Sequence, residues 1–169
     1  MKYSVVVFPS SKVQEVANSY RKRYDSHFAL IPPFIRLIDN FEMDDSKLPQ
    51  LTQVVQQIAS STDPFSVTFH RASTFHPTSN VIFLAVQNKA PFEKLHQELV
   101  EIIGKQSQAF AFVPHLTIGR ELTDDECKDV SGQLSMVKFD LTSDIDRIHL
   151  VKELEDGSWS VVQSFPFNQ

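Results

Sequence analysis

Val113-Pro114-His115-Leu116-Thr117-Ile118 decides the reading of this chain, because an imperfect copy lies upstream at Ile31-Pro32-Pro33-Phe34-Ile35-Arg36-Leu37. A shift of 81 residues lays Pro33 on Pro114, Phe34 on His115, Ile35 on Leu116, Arg36 on Thr117 and Leu37 on Ile118. Side chains two apart on a β-strand face the same way. One copy therefore presents an imidazole and a hydroxyl to one surface. The other presents an aromatic ring and a guanidinium in the same slots. Leu116 and Ile118 face away from that surface, as do Ile35 and Leu37, and suit packing on helices. Gly119 shares the face of His115 and Thr117, and its missing side chain reads as part of a ligand-facing wall. The repeat predicts two lobes that share a groove, one wall of which has changed its chemistry.

Outward from these two segments the chain reads as mixed helix and strand. The apolar run Tyr3–Phe8 predicts a buried strand, and Pro9-Ser10-Ser11 a helix start. Val13, Val16, Ala17 and Tyr20 recur at helical spacing over Lys12–Tyr24. A strand is expected over Leu30–Ile38, a helix over Leu48–Ser60, and strands over Phe65–Arg71 and Val81–Gln87. The second half repeats the rhythm: a helix from Pro91 to Gly104, the strand holding His115, and a short helix over Thr123–Leu134. The start Thr123-Asp124-Asp125-Glu126 has the form of a capping box. Strands are expected over Val137–Leu141, Asp146–Glu153 and Ser158–Phe165, the last two joined by the turn Glu155-Asp156-Gly157. With no low-complexity linker, residues 1–169 read as one α+β domain of two intertwined, pseudo-symmetric lobes of antiparallel sheet plus helices around a central groove.

Composition bounds the function. A chain of 169 residues, 41% hydrophobic, can bury a true core. Its net charge of −5 argues against covering a long nucleic-acid duplex, which needs many cationic phosphate contacts, but leaves room for a small phosphate in a local pocket. The one cysteine, Cys127, excludes an internal disulfide and a cysteine-based zinc site. Met1-Lys2-Tyr3-Ser4 reads straight into a strand, and no apolar run is long enough to span a membrane, so a cytoplasmic location is expected. The oligomeric state is open.

A histidine two residues from a hydroxyl is weak evidence by itself. With six histidines about one such match arises by chance, and His76-Pro77-Thr78 is another. The shared flanks and the half-chain offset give His115 and Thr117 their weight. On these residues the chain resembles the 2H phosphoesterase superfamily, which includes 2′-5′ RNA ligase-like proteins and cyclic nucleotide phosphodiesterases. Within it the chain is similar to the small phosphoesterase-like proteins of Bacillus and its relatives. The resemblance spans Phe8-Pro9-Ser10, residues 18–25, Ile31-Pro32-Pro33, residues 112–117 and Leu154-Glu155-Asp156-Gly157-Ser158-Trp159. It implies a His-x-Thr/Ser motif from each lobe, two histidines exchanging protons with a phosphodiester, hydroxyls on the non-bridging oxygens, and no metal or other cofactor.

The chain departs from that pattern at Phe34 and Arg36. Phenylalanine transfers no proton, and arginine binds phosphate but stays protonated. The expected activity is that of a phosphoesterase with one of its two motifs lost. His115 would remain as the proton-transfer group and Thr117 as a phosphate contact. Arg36 would be a second phosphate contact and Phe34 an apolar wall or stacking surface. The expected ligand is a small phosphodiester or phosphomonoester, such as a cyclic nucleotide or an RNA terminus. Its binding would strengthen below about pH 6.5 if His115 keeps its reference pKa. A non-catalytic nucleotide- or phosphate-binding module using the same cleft is the alternative, and a structural domain whose groove Phe34 closes is a third. Of the side candidates, His76 reads as an ordinary loop histidine and Arg21-Lys22-Arg23 as a solvated helical face with one member at the groove rim. His149 could face the cleft or solvent. His27, His70 and His96 stand alone, and the acidic run at Asp124 reads as helix N-terminal charge rather than a metal site.

Overall fold

Ile35 on one motif strand pairs with Leu116 on the other, so the two residues that an 81-residue shift superimposes lie side by side in the sheet. This computed structural model describes residues 1–104 and 111–168. The strands are β1 (Lys2–Val7), β2 (Ile35–Glu42), β3 (Phe65–Thr74), β4 (Ile82–Val86), β5 (His115–Gly119), β6 (Leu141–Ile145), β7 (Arg147–Glu153) and β8 (Trp159–Pro166). The helices are α1 (Ser11–Tyr24), α2 (Leu48–Ser60), α3 (Ala90–Ile103) and α4 (Asp124–Leu134). All eight strands form one curled antiparallel sheet in the order β6-β3-β4-β5-β2-β1-β7-β8.

The β2–β5 pair is the centre of an approximate two-fold. On one side lie β2, β1, β7 and β8; on the other lie β5, β4, β3 and β6. The lobes are not the sequence halves. Strand β3 belongs to the lobe of β4–β6, while the last two strands complete the lobe of β1 and β2. Helix α1, which joins β1 to β2, packs on β5, and α3, which joins β4 to β5, packs on β2. Each lobe thus lends its helix to the other. The apolar alternation explains the seating: Ile35, Leu37, Leu116 and Ile118 are fully buried in the main core, as expected.

Two strands start elsewhere than the sequence suggests. The strand expected over Leu30–Ile38 begins at Ile35 and continues to Glu42. Pro32 and Pro33 lack the N–H that a ladder needs, so the chain turns over residues 26–30 and enters the sheet only after them. Phe41, opposite Tyr3 and stacked on its ring, carries the strand further than Ile38. The strand expected over Val137–Leu141 is instead Leu141–Ile145, paired with β3 from Phe69↔Leu141 to Phe65↔Ile145. Phe139 is buried without joining the ladder. The other elements fall within a few residues of expectation. Glu153 pairs with Trp159 across the β7–β8 turn, where Gly157 takes a φ of 86°, a region that favours glycine.

The capping box at α4 is complete: Glu126 N–H donates to Thr123 Oγ1 (3.1 Å), and Thr123 N–H donates to Glu126 Oε1 (3.0 Å). Thr123→Ala is expected to cost about 1 kcal/mol, readable as a shift in the urea midpoint at unchanged slope. Among the described residues, no helix is long and apolar enough to cross a membrane.

Candidate functional site

Phe34, Arg36, His115 and Thr117 line one groove of about 570 Å³. Strands β2 and β5 touch at the single pair Ile35↔Leu116, and an antiparallel register through it sets Arg36 toward His115 and Phe34 toward Thr117. Phe34 lines this groove rather than filling it.

His115 is held by its own strand. Its Nδ1 lies 2.7 Å from the Val113 carbonyl, which can only accept, so Nδ1 carries the proton and Nε2 is left unprotonated. Phe75 and Phe83 pack around the ring at 5.0 and 5.2 Å. Burial pushes the imidazole pKa below its usual 6.5; the hydrogen bond to Val113 opposes this, and Arg36 and Arg120 add to it. His115 is therefore neutral at pH 7. This direction runs against the expectation that the imidazole keeps its reference pKa and turns cationic just below pH 6.5. Neither Nε2 nor the Thr117 hydroxyl has a hydrogen-bond partner among the described residues.

Arg36 sits against the groove with its guanidinium 5.3 Å from the Phe34 ring centroid. Its Nε is buried without a hydrogen-bond partner, and it forms no ion pair among the described residues. Burial, then Arg120, lowers its pKa, while the exposed Asp39 opposes the shift; a guanidinium still keeps its charge. Phe34 is 8% exposed and packs with Val6, Ile31 and Val151 in a small cluster. It offers an apolar wall and little face for stacking.

The model of the 2′-5′ RNA ligase superfamily matches residues 8–157. The chain belongs to the 2′-5′ RNA ligase superfamily, the 2H phosphoesterases. A protein of Geobacillus sp. (strain WCH70) named "Putative phosphoesterase" is 46% identical over 165 residues, covering 98% of this chain and 95% of the relative. A similarly named protein of Halalkalibacterium halodurans is 39% identical over 165 residues, covering 98% and 96%. Crystal structures share the fold at low identity. Escherichia coli LigT complexed with 3′-AMP matches with a TM-score of 0.77 at 12% identity, over 99% of this chain and 98% of LigT. A Thermus thermophilus protein matches with 0.75 at 18%, over the same shares.

This 2H phosphoesterase chain brings one more cation to the groove, and the alternation rule missed it. Arg120 has the opposite strand parity to His115 and Thr117, yet lines the groove because β5 ends at Gly119. There Arg120 bridges in parallel to Asp25 and donates its N–H to the Tyr24 carbonyl at 3.0 Å. Gly119 serves this approach rather than a ligand: a Cβ on it would stand 3.3 Å from Tyr24 Cβ. Arg120 Nε lies 2.8 Å from Asp25 Oδ1, an ion pair whose N–H is not aligned on the oxygen. Its Nη1 donates to His27 Nδ1 at 2.9 Å. Burial, then Arg120, lowers the His27 pKa, so the ring is neutral and able to accept that bond.

Asp25 also receives Arg21, which is buried rather than on a solvated face. Arg21 Nε donates to Asp25 Oδ2 at 3.0 Å, Nη1 to Asn18 Oδ1 at 2.8 Å and Nη2 to the Ile31 carbonyl at 2.7 Å. It clamps the turn that leads into β2. Two histidines set aside on sequence also have partners: His27, as above, and His96, which bonds the Leu37 carbonyl and stacks at 4.0 Å on Phe112 of the groove wall. His76 bonds Asn80 and His149 bonds Ser164, and neither lines the groove. Among the described residues, no group of three or more His, Cys, Asp or Glu side chains could hold a metal.

Proposed function

We propose that residues 1–169 act as one unit that binds a small phosphodiester, a cyclic nucleotide or an RNA end, in this groove and turns it over slowly. The observation that carries the reading is the meeting of His115 with Arg36 across the repeat's central pair, an unprotonated imidazole nitrogen beside an unpaired guanidinium. Solved LigT complexes hold 3′-AMP, ATP, NADP+ and phosphate, all phosphorylated or phosphate itself. The single cysteine, free and buried, suits the reducing cytoplasm, the location we propose.

In hydrolysis of a 2′,3′-cyclic phosphate, His115 Nε2 takes a proton from water as its oxygen bonds phosphorus. The ring P–O bond breaks, and Arg36, Arg120 and the Thr117 hydroxyl hold the charge on the phosphoryl oxygens. The leaving oxygen must take its proton from water, because Phe34 cannot donate one. His115→Ala is expected to reduce hydrolysis to background. The activity of the unaltered chain should persist as pH falls through 6.5 and fade only below, where the depressed pKa of His115 is reached. Robust hydrolysis by His115→Ala would exclude this mechanism.

The packing of Phe34 favours a second reading, a groove that binds without turnover. Saturable nucleotide binding with no phosphate release above the uncatalysed rate would establish it.

A further inference from the structure

The groove is locally positive in a chain of net charge −5. Its lining carries two guanidinium groups, Arg36 and Arg120, against one carboxylate, the exposed Asp39. Arg36 is the telling member. A guanidinium even half-buried, as that of Arg36 is, normally finds a carboxylate, since an unpaired charge drawn out of water is costly. Arg36 lies against the face of Phe34, leaves its Nε unbonded and forms no ion pair among the described residues. Arg120 is tied through Nε to Asp25 and through Nη1 to His27, and its Nη2 has no partner among the described residues. The neutral His115 adds a demand of a different kind. Its Nε2 is an acceptor and repels an anionic oxygen, but it suits a hydroxyl that donates.

We infer that this groove prefers an opened nucleotide end, a doubly charged phosphomonoester with a free hydroxyl on the neighbouring ribose carbon, over the cyclic phosphodiester. The inference rests on the phosphate reading above and names its ligand class. A phosphomonoester carries close to two charges above its second pKa of about 6, and a cyclic diester carries one. Two guanidinium groups match the first with paired charge-assisted hydrogen bonds. The freed ribose hydroxyl donates to His115 Nε2, and the cyclic ester has no such hydroxyl. The groove therefore holds the product of ring opening more firmly than the ring, so that accumulated product competes with the cyclic ester for the site.

Calorimetric titration of the full chain at pH 8 tests this with adenosine 3′-monophosphate, its 2′-deoxy analogue, adenosine 2′,3′-cyclic phosphate and adenosine. The 3′-monophosphate is expected to bind at least about tenfold tighter than the cyclic ester. The 2′-deoxy analogue should fall between them and adenosine should bind weakest. Arg36→Gln should bring the monoester and cyclic affinities to within about threefold. In the unaltered protein, raising salt from about 50 to 500 mM should shrink the preference in the same sense. That measurement needs no variant to fold. A cyclic ester that binds as tightly as the monoester, with both weakened by Arg36→Gln, overturns the inference and leaves the phosphate groove standing. A preference unmoved by salt and by Arg36→Gln overturns it as well. If none of the phosphate ligands binds, the phosphate reading itself fails.

Discussion

Phe34→His combined with Arg36→Thr is expected to raise hydrolysis of a 2′,3′-cyclic nucleotide by about 10²-fold or more, because a missing acid–base partner costs on the order of 10²–10⁴ in rate. The geometry favours a gain. Residue 34 lines the groove one step from the Ile35↔Leu116 pair, as His115 does from the other strand. A histidine there would reach the leaving oxygen from the lobe opposite His115. The exchange at 36 also removes a half-buried guanidinium whose Nε is unbonded and that forms no ion pair among the described residues, which offsets part of the packing lost when imidazole replaces phenylalanine beside Val6, Ile31 and Val151. Initial rates should be measured beside a thermal melt and a ligand titration. A folded double variant that binds nucleotide and is no faster than the parent would show that residue 34 does not aim at the reacting phosphate. The single change Phe34→His should give a smaller gain, since Arg36 would depress the new imidazole's pKa as it does that of His115.

The site that this double variant probes was half legible in the sequence. Strand alternation placed Phe34, Arg36, His115 and Thr117 on one groove, and the repeat offset placed both motif strands at a shared central groove; that the two strands pair directly is seen only in the sheet. Both signals are short-range, resting on side-chain parity over a few residues. Arg120 carries no such signal. It reaches the groove because the strand ends and the chain turns toward Asp25, 95 positions away in sequence. Arg21 was readable in principle, for Val13, Ala17 and Arg21 form an i, i+4 stripe, and the stripe is buried to its end. Reading the run 21–23 as a patch of like charge hid that spacing. The late start of β2 was written in Pro32-Pro33, whose missing donors outweigh the apolar character of Leu30 and Ile31. Strand β6 was expected too early, at Val137–Leu141, because Leu141-Thr142-Ser143-Asp144-Ile145 has too few apolar residues to advertise itself. Pairing with β3 makes it a strand, through contacts such as Ser66 to Asp144.

Asp25→Ala is expected to destabilise the protein by about 3–5 kcal/mol, the range seen when one partner of a buried ion pair is removed. The side chain of Asp25 is 0% exposed and that of Arg21 1%. Without the carboxylate, Arg21 keeps Asn18 and the Ile31 carbonyl, but its charge is left buried and unbalanced. Arg120 loses its anchor at the same stroke, and the 26–30 turn loses the bond from His27 N–H to Asp25 Oδ1. For a chain of this length each kcal/mol moves the melting temperature by about 2–4 °C, so a fall of about 6–20 °C should be seen. Removing the charge together with its partner separates electrostatics from packing. Arg21→Met with Asp25→Ala should recover part of the loss, giving a coupling above about 1 kcal/mol in a double-mutant cycle. Arg120 should register the change functionally. In Asp25→Asn, which keeps the shape and drops the charge, nucleotide affinity and its salt dependence should change while His115 stays in place. A melting temperature within about 2 °C of the parent for Asp25→Ala would mean that water or the neighbouring carbonyls already satisfy the two arginines. The carboxylate would then be dispensable to both the turn and the groove.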